Sequence, residues 1–176
     1  MRVAATILLL SSLAVLNAAT LERLSVEQMA QQATAVVHGR VSETRTARFG
    51  ALVYTLHGFE AEEQWKGAAI AGLEIAVPGG NYQGVTYSFG GTPELKTGEE
   101  YLLFLWTGPS GRTQIVGLSQ GVFRVLRRSD RVVVTRADAE DSVFAGEDGA
   151  GSSQALETTL DQFAARVRAA LESNPK

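Results

Sequence analysis

The strongest hydrophobic pattern in this chain is a short unbroken run near its middle. Residues Tyr101 to Trp106 are apolar or aromatic without exception, and turn-forming residues flank the run at 98–100 and 108–111. An apolar run this short, bounded by turn residues, is typical of a strand that is buried on both faces. We therefore expect it to be the central strand of a β-rich domain.

Two longer segments before this run predict a pair of long strands. They extend from Ala35 to Thr44 and from Leu52 to Trp65, and the polar stretch from Arg45 to Ala51 predicts the turn between them. Each contains one glycine, Gly39 and Gly58. A glycine inside a strand indicates a bulge or a sharp bend, which a small barrel needs in order to curve.

Shorter segments complete the predicted sheet. A long glycine-rich loop is expected from Pro78 to Thr97, with Val85 to Phe89 as a further short strand inside it. Four more strands are expected at Leu73 to Val77, Thr113 to Val116, Gly121 to Leu126 and Arg131 to Arg136.

Two capping boxes predict two helices. Ser25 with Gln28 predicts a short helix to about Gln32, and Thr159 with Gln162 predicts a second helix near the end of the chain. The second helix has an apolar stripe, which consists of Leu156, Leu160, Phe163, Val167 and Leu171. This stripe must be buried on the barrel, on a partner or on a membrane surface. We expect the barrel, because the polar face is not basic enough for a membrane helix.

The N-terminal residues have the pattern of an export signal. Arg2 is followed by an apolar stretch from Val3 to Leu16 and by small residues for cleavage after Ala18 or Ala19. The alternative is an uncleaved anchor helix, although the stretch is short for a membrane span. We expect a secreted or periplasmic protein with no membrane span after cleavage. The predicted organisation is a signal peptide (1–19), a barrel domain (20–136), an acidic glycine-rich linker (137–153) and a C-terminal helix (154–173).

Composition narrows the classes of function. The net charge is -3 and the pI is about 5.4, which disfavours a general nucleic-acid binder because such proteins carry a basic surface. The chain contains no cysteine, so disulfides and thiolate metal sites are excluded. We expect no cofactor.

The candidate catalytic residues do not converge in sequence. If the hairpin turns near Phe49, His38 and His57 lie about four residues apart in register, which is too far for them to share a metal. The sequence also contains no metal-ligand spacing. Gly117 to Gly121 has the letters G-x-S-x-G around Ser119. That motif needs a strand–turn–helix setting, whereas here a strand follows, so we interpret it as a tight turn between antiparallel strands. We expect no metal site and no enzyme.

The glycine-rich loop contains the best candidate binding residues. Tyr82, Tyr87 and Phe89 alternate with glycines there and can present rigid apolar area to a protein or a small-molecule ligand. The alternative is that these rings fold back and cap one end of the barrel. Our leading hypothesis is an exported, non-enzymatic binding or interaction module whose ligand is unknown.

The order of the motifs resembles a known family. V-V-H-G-R-V (Val36 to Val41), W-K-G (Trp65 to Gly67) and G-E-E-Y-L-L-F-L (Gly98 to Leu105) are similar to the barrel of netrin/TIMP-like domains, and to secreted bacterial proteins of the same kind that lack the cysteines. The resemblance implies a small antiparallel OB-like closed barrel with helices packed outside it.

The resemblance carries over no mechanism. TIMP-type proteins inhibit metalloproteases through an N-terminal cysteine that this chain lacks. Two alternatives to a binding module stay open: an inhibitor of an exported protease that works by loop insertion, and a serine hydrolase that uses Ser119 with His57 or His38.

Overall fold

The computed structural model describes residues 23–69, 71–136 and 158–173. The predicted signal peptide (1–19), the predicted linker (137–153) and Leu156 lie outside these residues. The described part is mainly β with a C-terminal helix, as predicted. Its helices are α1 (Val26–Gln32) and α2 (Leu160–Glu172), and its strands are β1 (Ala35–Phe49), β2 (Leu52–Lys66), β3 (Leu73–Pro78), β4 (Gly80–Tyr82), β5 (Val85–Tyr87), β6 (Glu100–Thr107), β7 (Thr113–Ile115), β8 (Val122–Arg127), β9 (Val132–Arg136) and β10 (Thr158–Thr159).

Strands β1 and β2 form a long, bent hairpin. Phe49 pairs with Leu52, so the turn is confined to Gly50 and Ala51, and the longer polar turn predicted from residue 45 is wrong. The pairing shifts register beside Gly39, which confirms a bulge there. Any Cβ atom at Gly39 would collide with the carbonyl oxygen of Glu60, so only glycine lets the two strands approach this closely.

Strand β6 is the central strand, as predicted. Its residues from Tyr101 to Leu105 are fully buried, whereas Trp106 is 43% exposed. The expectation that the whole run is buried is therefore wrong at its last residue. The reason lies in the pairing: β1 covers one edge of β6 only as far as Leu105, so Trp106 projects past the end of β1 and pairs on the other edge with Gln114.

The strands form a large mixed sheet in the order β1-β2-β3-β7-β6-β8-β9-β10, and β1 pairs with β6 as well. The pairings are antiparallel except between β3 and β7, which run parallel. The prediction of an antiparallel sheet is therefore only partly correct. The parallel contact arises because β7 forms a hairpin with β6 and runs antiparallel to it, which gives β7 the same direction as β3.

Strands β7 and β8 occupy successive stretches of one edge of β6. Strand β7 pairs with residues 105–107 and β8 with residues 101–103, while β1 lies along the opposite edge. A 3-10 helix, Leu118–Gly121, joins them. Our interpretation of this stretch as a turn between antiparallel strands is wrong, since both strands run in the same direction.

The glycine-rich loop contains a small hairpin. The short strand predicted after residue 85 is present as β5, and it pairs with β4. Gln83 and Gly84 at its turn have φ of 53° and 80°, the left-handed pair that a tight hairpin turn requires.

Both helices pack in one hydrophobic cluster with residues of β6, β8 and β9. Their capping boxes are formed as predicted. Phe163 of α2 is buried with its ring centroid 4.8 Å from that of Phe123, and Arg166 binds Glu27 of α1 through two hydrogen bonds of 2.6 and 3.1 Å. The described part of the stripe therefore packs within the chain: Phe163 and Val167 are buried, and Leu160 and Leu171 are partly buried. Neither described helix has the length and apolar character needed to cross a membrane.

Candidate functional site

A cleft of about 600 Å³ lies where β3 and β7 meet. These strands share a single registered pair, Ile75 with Thr113, and the cleft is lined by the residues that follow this pair on both strands. The other walls come from the end of α1, the start of the 3-10 helix and the loop before β6. The lining residues are Gln32, Ala76, Val77, Pro78, Pro93, Trp106, Gln114, Ile115, Val116, Gly117 and Leu118.

The cleft is apolar and contains no charged lining residue. Trp106 is the largest exposed side chain on its wall. Leu118 has a φ of 56°, a left-handed conformation that is strained for a leucine and that tends to occur at functional positions. A mostly apolar concavity with a few polar groups is the usual form of a binding site.

The predicted aromatic residues lie beside this cleft and do not line it. Tyr82 on β4 and Tyr87 on β5 are half-buried, and Phe89 is 42% exposed. Their segment leaves the cleft wall at Pro78 and returns to it at Pro93. The small hairpin therefore lies at the rim of the cleft, where β4 contacts β1 and β2.

A second polar centre surrounds the buried carboxylate of Glu100. Arg127 donates two hydrogen bonds to it, at 2.7 and 2.8 Å. His38 donates from Nε2 at 2.7 Å, and Arg40 donates at 3.3 Å. Burial by itself raises the pKa of Glu100, but the hydrogen bonds from Arg127 and His38 outweigh it, so the pKa lies below its ordinary value. Glu100 is thus held ionised inside the sheet.

The same centre offers ligand atoms to a metal but does not fit one well. Ligand atoms of His38, Glu62 and Glu100 lie within 4.8 Å of one another. The guanidinium of Arg127 contacts both carboxylates, at 2.7 Å for Glu100 and 3.6 Å for Glu62. A metal ion there would have to displace that fixed positive charge, so the arrangement is an ion-pair network.

His57 lies in a different setting from His38. It pairs with Thr44 across the hairpin and shares a hydrogen bond of 3.0 Å between Nδ1 and the threonine hydroxyl. Burial lowers the pKa of His57 to about 4, so the imidazole is neutral near pH 7. Thr44 is six residues from His38 along β1, and not about four as we expected, because the turn is at residues 50–51.

Ser119 lies in the 3-10 helix and is buried. Its backbone N–H donates to the carbonyl oxygen of Gly91 at 3.1 Å. Within residues 23–69, 71–136 and 158–173, no hydrogen bond joins Ser119 to His38 or His57, which bond to Glu100 and Thr44 instead. A serine nucleophile needs a base within hydrogen-bond reach, and this geometry does not provide one.

One half-buried arginine is held by aromatic rings at the hairpin tip. The guanidinium of Arg112, in the loop between β6 and β7, lies 4.6 Å from the ring centroid of Phe49 and 4.8 Å from that of Tyr54. Such contacts contribute roughly 0.5–1 kcal/mol at exposed sites. They fix the loop between β6 and β7 against the β1–β2 hairpin.

No protein-family model matches this chain, and no curated protein matches it. The similarity to netrin/TIMP-like domains therefore stays a prediction. The assignment of a function depends on the site geometry alone.

Sequence reasoning did not find the cleft. Its lining residues come from five separate stretches of the chain, and no local pattern links them. One signal was available: the aromatic run from Tyr101 ends in a tryptophan, a residue type that is enriched in binding surfaces.

Proposed function

We propose that this chain is an exported, non-enzymatic interaction module, built on an OB-like closed barrel, that binds a partner in the cleft between β3 and β7. The observation that carries this proposal is the uncharged cleft of about 600 Å³ with the half-exposed Trp106 on its wall. A tryptophan at the edge of an apolar concavity is the kind of residue that dominates binding energy.

The strand pairings support the closed-barrel part of the proposal. The order β1-β2-β3-β7-β6 returns to β1 through the pairing of β6 with β1. A five-stranded ring in which the first strand pairs with two neighbours is consistent with a small Greek-key barrel. Fold does not fix function, so the binding part of the proposal depends on the cleft.

The binding part is tested by capture experiments with matched variants. Immobilised chain, from residue 20 onward, is incubated with envelope extract, and captured proteins are quantified by mass spectrometry. Trp106→Gln should reduce capture of the specific partner at least about tenfold, since a truncated hot-spot residue costs 1–2 kcal/mol or more. Leu126→Gln is the control, because Leu126 is similarly exposed, at 39%, and lies outside the cleft lining.

Two results would contradict the proposal. One is that the wild-type chain captures no protein above background. The other is that Trp106→Gln captures the same partner as well as Leu126→Gln does. A combined substitution of Tyr82, Tyr87 and Phe89 by alanine measures whether the hairpin at the rim contributes, and we expect it to weaken capture further.

Export is tested separately. Expression of the full chain in a bacterial host, followed by N-terminal sequencing of the envelope fraction, should show cleavage after Ala18 or Ala19. Recovery of uncleaved chain in the cytoplasm would contradict the exported part of the proposal. That result would not bear on the binding part of the proposal, which the capture experiment tests.

A further inference from the structure

We infer that the chain docks on the surface of anionic phospholipid bilayers through a strip of side chains at the turn of the β1–β2 hairpin. The strip consists of Phe49, Leu52, Arg112 and Trp106, and Arg48 lies beside it; we call it the aromatic strip. This inference goes beyond the proposed function, because the strip shares only Trp106 with the cleft. Its continuity, its exposure and the charge around it support the inference.

The aromatic strip runs without a break across two elements of the fold. Phe49 pairs directly with Leu52, and residues opposite each other in an antiparallel pair project from the same face of the sheet. The guanidinium of Arg112 lies 4.6 Å from the centroid of the Phe49 ring, so the loop between β6 and β7 joins that face. The Trp106 ring lies against the same loop, since a Cβ atom at Gly108 would be 2.7 Å from it.

The apolar side chains of the strip are open to solvent. Phe49 is 43% exposed, Leu52 is 46% exposed and Trp106 is 43% exposed. Phe49 and Leu52 flank the two-residue turn of the hairpin. Aromatic and aliphatic side chains beside a turn can enter the interfacial layer of a bilayer while the backbone of the turn stays at the hydrated headgroups.

The charges on the segments that carry the strip are positive. Residues 44–59 and 101–118 include no Asp or Glu, and neither Arg48 nor Arg112 forms an ion pair with a described residue. Glu43 is the nearest acidic residue along β1 and lies six residues before the end of that strand. That separation is roughly 20 Å at about 3.4 Å per residue, well beyond the Debye length of about 8 Å at physiological salt.

An anionic bilayer meets both requirements of the strip. It presents phosphate groups to the guanidinium groups, which bind phosphate well, and an apolar layer within about 10 Å of them to the rings. The whole chain has a net charge of -3, so an anionic surface repels most of the molecule and favours contact through this acid-free region. Each arginine near such a surface strengthens binding about fivefold, which makes anionic lipid the preferred surface.

Vesicle sedimentation tests the inference. The chain from residue 20 onward, which keeps every described residue, is mixed with vesicles of phosphatidylcholine alone or of phosphatidylcholine with phosphatidylglycerol. The anionic vesicles should bind the chain at least about tenfold more tightly, and the difference should shrink as salt is added.

Matched variants locate the contact. Phe49→Gln combined with Leu52→Gln should weaken binding to anionic vesicles at least about tenfold. Arg48→Gln combined with Arg112→Gln should remove the preference for anionic over neutral vesicles. Leu126→Gln, at a residue that is 39% exposed on β8, should leave binding unchanged, and thermal unfolding shows whether each variant is folded.

A site-specific probe gives a second measurement. Because the chain contains no cysteine, Leu52→Cys and Leu126→Cys can each be labelled at one position with a polarity-sensitive fluorophore. On anionic vesicles the label at position 52 should gain emission and shift to the blue, and the label at position 126 should not change.

Three results would overturn the inference. One is that the chain binds neither kind of vesicle. Another is that it binds both kinds equally, since charge would then have no part in the contact. The third is that the two labels respond alike. If vesicles do not bind while the Phe49 and Leu52 double variant loses a captured protein, the strip is a protein interface instead. Partner capture with Trp106→Gln tests the proposed function independently of these results.

Discussion

Two contacts between strands that are distant in sequence differ sharply. Strand β1 meets β6 over six registered pairs, from Ala35 to Arg40, and a buried carboxylate, Glu100, is bonded there by His38 and two arginines. Strand β3 meets β7 over one pair and leaves a cleft. We call these the β1–β6 seam and the β3–β7 seam.

The difference separates a structural seam from the seam at which we propose binding. Buried polar groups at the β1–β6 seam are joined in a network that loses stability when one member is removed. The β3–β7 seam has the half-exposed Trp106 beside it, uncharged lining residues and, among the described residues, no such network. A seam that is satisfied within the chain holds the fold, and a seam that is incomplete can accept a partner.

The largest expected effect comes from the carboxylate of the β1–β6 seam. Glu100→Gln should lower the free energy of unfolding by about 3 kcal/mol, because it removes one partner from a buried charged network. Urea unfolding at pH 7 measures it. The matched control is Glu62→Gln. Glu62 contacts the same Arg127 at 3.6 Å, but its side chain is half-exposed, so this substitution should lower the free energy of unfolding by less than about 0.5 kcal/mol. If both substitutions lower the free energy of unfolding equally, the contrast between the two seams loses its basis.

The second effect is acid destabilisation through His57, which lies outside both seams. Its folded pKa of about 4 is below its ordinary value of 6.5, so between these pH values the unfolded chain binds more protons. The contribution of His57 to the free energy of unfolding is therefore complete above pH 6.5 and is lost as the pH falls towards 4. The loss is at most about 3 kcal/mol, at 1.36 kcal/mol per pKa unit.

The test of this effect must separate His57 from Glu100. The lowered pKa of Glu100 acts in the same direction, since its contribution is lost as the pH falls through that pKa. Urea unfolding of His57→Gln at pH 7, 6, 5 and 4 should show a flatter profile between pH 6.5 and 5 than the wild type. An unchanged slope in that window would show that His57 does not titrate as its burial requires.

A smaller effect is expected from an exposed ion pair, which sharpens the contrast with the buried one. Arg166 binds Glu27 across the two helices and holds the pKa of that carboxyl at about 2. Both side chains are about two-fifths exposed, so Arg166→Gln should cost only about 0.5–1 kcal/mol. Thermal unfolding in low and high salt measures it, with exposed Arg168→Gln as the control for loss of charge. A cost near that of Glu100→Gln would mean that burial does not set the strength of these pairs.

The smallest effect on stability is expected at the β3–β7 seam. Trp106→Gln should change the free energy of unfolding by no more than about 0.5 kcal/mol, because the side chain is half-exposed at the end of β6. The same variant should lose partner capture. A large loss of stability would indicate that Trp106 serves packing, and the cleft would then lose its main candidate contact.

Sequence patterns predict the strands well and the seams poorly. The run at Tyr101, the capping boxes at Ser25 and Thr159, and the bulge at Gly39 were all predictable, because each depends on residues close together in the chain. The turn at Gly50 was placed too broadly, since the hairpin continues through polar residues that pair across it.

The site was not predictable for a physical reason. The single pair between Ile75 and Thr113 depends on the path that β7 takes along β6, which local periodicity does not encode. The partners of Glu100 likewise come from β1 and β8, which are distant in sequence. Residue types indicated aromatic surfaces at Tyr82, Tyr87 and Phe89, but only the three-dimensional arrangement reveals the neighbouring cleft.

Hydrogen exchange at the two seams tests the account most directly. Backbone amides of β6 from Leu102 to Leu105 should exchange only through global unfolding, whereas the stretch at 114–118 should exchange at least a hundredfold faster in the free protein. Addition of the partner identified by capture should slow exchange at 76–79 and 114–118 and leave the β1–β6 seam unchanged. Equal protection of both seams in the free protein, or slowing by that partner at β1 and β6 instead, would contradict the account.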